Sequence, residues 1–145
     1  MTLQAISDLN YVTEALGDLD AAVSHLITNR PQSGLSKWSS LQAVEKMVKA
    51  YISQTGEEIK RTHSLNKLFK QAEKLGLLVP PEQYINDIQC SAGVRYGEMS
   101  VSIEDAVTAH LLSLEICEVT GQYVGKFLNR SMPIIPKQMF DRVPR

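Results

Sequence analysis

The chain is short of most residue types that carry chemistry by themselves. It has two cysteines in 145 residues. Cys90 and Cys117 are too far apart for a Cys-X-X-Cys pair, and no paired histidines accompany them. That excludes a disulfide-stapled secreted scaffold and the familiar zinc spacings, and it fits small buried hydrophobes in a reducing compartment. There is no Gly-rich phosphate loop. No apolar run approaches the ~20 residues that span a bilayer, and the polar, acidic N-terminus has no basic-then-apolar leader. A cytoplasmic protein without a membrane segment is expected. Neither sign of charge is in excess: the net charge is -1, which gives no general reason to expect nucleic acid or membrane. No segment alternates apolar and polar with the period of two that marks a strand.

What is present is charge sorted into blocks. Residues 1–30 carry four acids against one base, residues 37–74 eight bases against four acids, residues 82–118 seven acids against Arg95, and residues 126–145 five bases against Asp141. Neighbouring blocks alternate in sign and can pair across a bundle surface. The basic block in the middle is also a candidate anion patch, with Lys46 and Lys49 on one helix, Lys60, Arg61 and His63 in the connector that follows, and Lys67, Lys70 and Lys74 on the next helix. If the two helices were antiparallel, the connector would gather these groups at one end of the bundle.

Apolar spacing predicts five helices. Leu9, Val12, Leu16, Leu19, Val23 and Leu26 form one stripe of a first helix from about Ser7 to Thr28, ended by Pro31. Ser36 or Ser39 is the expected cap of a second helix reaching Gln54, with Gly56 as its stop. Ser64 can cap a third that ends at Gly76. Pro81 and Glu82 open a fourth that runs towards Ala92. Residues 93–98 are a glycine-flanked connector. Ser102 caps a fifth and longest helix that should reach Asn129, with Asp105 in the position of a capping-box partner. The fifth helix carries two apolar stripes, the second being Leu112, Ile116, Val119, Tyr123 and Phe127, so it should be central in the bundle or shared with a second copy. After Arg130, Pro133, Pro136 and Pro144 exclude a regular helix, while Ile134, Ile135, Met139 and Phe140 need cover. The expectation is an all-α fold: a five-helix up-and-down bundle over residues 1–129 and a non-helical tail over 130–145, lying across the bundle or a second subunit.

His25 and His110 fall at the buried edges of long helices and read as core histidines. His63 is the histidine whose place suggests a site, with bracing of the third helix as the alternative. Glu57-Glu58 and Glu104-Asp105 are adjacent pairs that diverge on a helix or turn and do not form a general acid and base. Trp38 reads as packing over the bundle end.

The segment 41–52, the glycine-bearing connector, Thr62-His63-Ser64-Leu65, then Val94-Arg95-Tyr96 and Ser102-Ile103-Glu104-Asp105-Ala106 succeed one another in an order that resembles the HEPN domain family, over roughly residues 3–129. The resemblance implies a helical bundle that dimerises and is associated with nucleotide binding, with small nucleotidyltransferase partners in toxin–antitoxin-like pairs, and in many members with metal-independent RNA cleavage. It puts His63, Arg95 and Tyr96 at family motif positions. Ribonuclease members carry an Arg, four to six residues, and then a His. Arg95 and His110 are too far apart for that, and Arg61 and His63 too close. Metal-free phosphodiester cleavage needs a base and a cation on one phosphate, so the expected role is a non-catalytic module binding a nucleotide-like anion or a nucleotidyltransferase. The divergent ribonuclease and the purely structural partner are the alternatives. The expected ligand-binding residues are Lys49, Arg61, His63, Arg95 and Tyr96, with no metal or other cofactor, and a homodimer is expected.

Overall fold

The computed structural model describes residues 3–124, with side chains from Asp8 onward. Among these residues there are five α-helices, one 3-10 turn and no strand: α1 (Leu3–Leu26), α2 (Ser33–Gln54), α3 (Leu65–Lys74), α4 (Glu82–Ile88), the turn η1 (Ala92–Tyr96) and α5 (Ile103–Val124). The expected continuation of α5 to Asn129 and the whole tail lie outside the described residues.

The centre of the bundle is α2; of the two places that the apolar stripes of α5 allowed, central or shared with a second copy, the central one is taken by another helix. Around its circumference α2 buries Leu41, Val44, Met47, Val48 and Ile52, together with the small residues Ser36, Ser40, Ala43 and Ala50. The small residues let neighbouring backbones approach on more than one side, and the large ones fill the spaces between. Fully burying one Leu or Ile contributes roughly 1.5–3 kcal/mol, so a helix covered all round holds much of the fold. α1 packs antiparallel on α2: Ser36 Oγ donates to the Ala22 carbonyl at 2.8 Å, and Lys46 reaches Asp18 at 2.7 Å. α5 runs in the same sense as α2, with Ser113 Oγ donating to the Ser40 carbonyl and Gln54 Nε2 to the Tyr123 carbonyl. The apolar residues of α5 are divided accordingly. Ile116, Cys117 and Val124 are buried, Leu112 and Val119 are half-buried, and Tyr123 is exposed.

Three local expectations change for stated reasons. α2 begins three residues before Ser36, without a side-chain cap, because the Ser36 hydroxyl is buried and spent on α1. Lys46 and Lys49, placed in the candidate anion patch, are committed to carboxylates instead: Lys46 to Asp18 of α1 and Lys49 to Glu45. α4 stops at Ile88, because Gln89 turns extended and its Oε1 accepts from the backbone N–H of Leu65 at 2.9 Å, capping α3 from outside. The expected caps at Ser64 and Ser102 form, accepting from the N–H groups of Lys67 and Asp105.

The connector after α2 does not gather at a bundle end. Gly56 takes φ +87°, which favours glycine, and the chain doubles back along α2. His63 arrives beside Glu45, and α3 then travels in the sense of α2 until the Leu75 carbonyl accepts from Tyr51 Oη at 2.6 Å. Gln71 pins the returning strand of chain, accepting from Lys60 N–H and donating to the Glu58 carbonyl.

Candidate functional site

Trp38, Gln42, Glu45 and Lys49 are spaced four, three and four residues apart, and therefore share one face of α2. The face carries two polar clusters about 10 Å apart along the axis.

The first centres on Glu45, which is 2% exposed. A carboxylate removed from water needs partners. Its Oε1 accepts from Lys49 Nζ at 2.7 Å and lies 3.1 Å from His63 Nδ1, and Gln42 Nε2 is 3.4 Å from Oε2. The Glu-to-Lys order at i, i+4 is the favourable one on a helix. The His63 side chain is 80% exposed, so it meets solvent on one edge and the carboxylate on the other. Gln89 Nε2 holds the His63 carbonyl at 3.4 Å.

The second cluster is built on Trp38. The Arg95 guanidinium carbon lies 5.1 Å from the Trp38 ring centre and 4.7 Å from that of Tyr96, which is a cation–π contact with each. Arg95 and Tyr96 are exposed, and Trp38 is half-buried. They are positioned by η1, which seats Val94 in the core and brings its carbonyl oxygen against Gly34, so close that a Cβ at Gly34 would collide with it. A guanidinium held over two rings keeps its N–H edges available for an anion.

The five expected residues are thus distributed unequally. Lys49 and His63 meet at Glu45, Arg95 and Tyr96 meet at Trp38, and Arg61 is exposed in the connector. Among the described residues neither Arg61 nor Arg95 is ion-paired, and Glu57, Glu58 and Glu98 form no salt bridge with them. His110 is wholly buried, and neither ring nitrogen has a hydrogen-bond partner. Burial pushes its pKa down to about 4, so it is neutral near pH 7. It has no access to a substrate. Sequence reasoning missed Glu45, Gln42 and Gly34, and gave Trp38 a packing role alone. The four-three-four spacing on α2 was a readable signal for Trp38, Gln42 and Glu45, whereas the approach of Val94 to Gly34 left none. No cluster of three or more His, Cys, Asp or Glu side chains among the described residues could hold a metal ion, and no described helix is long and apolar enough to cross a membrane.

A helical bundle with a polar line along its central helix defines an all-α domain. The sequence pattern of the HEPN domain family matches residues 10–123, and the chain belongs to that family. The matched span includes every residue of both clusters. No curated protein and no solved structure matches the chain.

Proposed function

We propose that the chain is a non-catalytic HEPN module that binds a nucleotide-like anion. The observation that carries this reading is the exposed Arg95 guanidinium seated over Trp38 and Tyr96 and free of any carboxylate among the described residues. Its forked N–H groups suit a phosphate. The exposed Tyr96 ring can stack on a base or donate its hydroxyl. Arg61 adds positive potential from the connector, and Lys49 and His63 shape the far end of the face around Glu45. A small nucleotidyltransferase presenting a bound nucleotide would use the same face, and that is the second form of this reading.

Divergent ribonuclease activity finds less support. The family's Arg-to-His spacing is absent, His110 is sealed in the core, and His63 is engaged with Glu45. The purely structural reading loses the arginine pairs that would have supported it. Assembly as a homodimer is part of the proposal, with Leu112 and Tyr123 on the partly uncovered face of α5.

Calorimetric titration of ATP, and separately of a dinucleotide, against the wild type and the Arg95→Ala, Arg61→Ala and Lys46→Ala variants tests it. Affinity should fall at least tenfold in Arg95→Ala, less in Arg61→Ala, and stay unchanged in Lys46→Ala, whose ammonium is committed to Asp18. Equal loss in all three would mean diffuse surface charge, and no binding by the wild type would leave the nucleotidyltransferase form to be tested by co-purification.

A further inference from the structure

Away from the Trp38–Glu45 face, the segment joining α3 to α4 stands off from α5 and leaves an apolar groove. Leu78, Val79, Pro80 and Tyr84 line one wall, and Ile116 and Val119 the other, around a cavity of about 200 Å³. Leu78 is 63% exposed at the rim and continues the apolar lining to the surface. The lining, apolar apart from Glu115, Thr120 and the Tyr84 hydroxyl, offers no positive charge to a phosphate. Acids outnumber bases around it: Glu115 is on the rim, Glu82 and Glu118 are exposed on the same two helices, and Lys70 stands with Glu73 and Glu82 on the far side of Val79 and Pro80. An occupant must be aliphatic, slender and flanked by positive charge.

The chain encodes such a segment. Met132-Pro133-Ile134-Ile135-Pro136-Lys137 pairs two branched aliphatics between prolines, within a C-terminal stretch whose five bases face one acid. Proline at both ends favours an extended backbone, which presents the two isoleucines to different sides and lowers the entropy lost on docking. The reach is adequate. Val119 lies within two turns of Val124, and the seven residues 125–131 can extend to at most about 23 Å. Charge complementarity between a basic tail and an acidic rim would fix which strand of chain docks. We propose that the groove between α4 and α5 is the docking site for residues 132–137 of the same polypeptide, whose Ile134 or Ile135 enters the cavity between Tyr84 and Val119.

The test is methyl NMR on the full-length chain with labelled Ile, Leu and Val. The expected result is cross-relaxation between an Ile134 or Ile135 methyl and those of Val79 or Val119. The Ile134→Asp/Ile135→Asp double variant, which leaves residues 3–124 unchanged, should lose these contacts and shift the Val79 and Val119 methyls. A synthetic peptide of residues 131–138 should restore their positions. Groove resonances identical in wild type and double variant would overturn the proposal. So would contacts seen only between labelled and unlabelled chains in a mixed sample, which would assign the groove to a second copy.

Discussion

Lys49 and His63, from different elements, approach the same oxygen of Glu45, at 2.7 and 3.1 Å. One comes from the helix itself and the other from a connector that has doubled back to reach it. The shared atom ties the position of the connector to a carboxylate that is nearly sealed from water.

This arrangement predicts an order of stabilities. Lys49→Met leaves Glu45 buried with His63 and Gln42 alone, and stranding a buried charge costs about 3 kcal/mol or more. Glu45→Gln removes the charge and keeps the shape, and should cost about 1–2 kcal/mol. Urea denaturation of both variants checks the order. A Lys49→Met protein at least as stable as Glu45→Gln would show that the carboxylate is not held as a buried anion.

His110 predicts an acid limb. Its folded pKa lies near 4 against 6.5 for the free side chain, lowered by burial. A histidine depressed in the folded state binds fewer protons there than when unfolded, so stability is lost as the pH falls from about 6.5 to about 4. At 1.36 kcal/mol per unit the full loss is about 3 kcal/mol. His110→Leu should flatten that limb relative to wild type in thermal melts at pH 4.5 and 7. Parallel slopes in the two proteins would exclude His110 as the source.

Gly34 predicts a link between the core and the exposed arginine. The methyl of Gly34→Ala would strike the Val94 carbonyl oxygen, which is backbone and can yield only by moving η1. Strain of this kind costs about 1–3 kcal/mol. The variant should change the emission of Trp38, the single tryptophan, and Arg95→Ala should change it in the same way. Unaltered emission in Gly34→Ala, with the fold intact, would break the proposed dependence of Arg95 on this contact.

Assembly is tested on α5. Light scattering should give twice the 16.2 kDa of one chain. Tyr123 is 42% exposed, so Tyr123→Glu should yield a folded monomer. Ile116 is 3% exposed within its own bundle, so Ile116→Glu should unfold the protein and says nothing about association. A wild-type monomer at micromolar concentration would remove the dimer.

The helices were legible because they rest on local rules. Apolar residues at three- and four-residue spacing, serines at positions 64 and 102, and glycines at 56 and 76 act over one or two turns, and the structure uses them as expected. Membership of the HEPN domain family was legible in the order of short motifs. What no local rule contains is which helix lies at the centre. The two stripes of α5 allowed either the centre or a face shared with a second copy, and α2 holds the centre, because its alternating small and large residues admit neighbours all round. The site followed the same division. Lys49, Arg61, His63, Arg95 and Tyr96 could be nominated from type and position, but their partners are set by long-range packing. Sequence could not say that the connector would return along α2 and bring His63 to Glu45, or that Val94 would close on Gly34 and set Arg95 over Trp38. Those contacts join residues 18 and 57 or more positions apart, and only burial of the core around α2 brings them within reach.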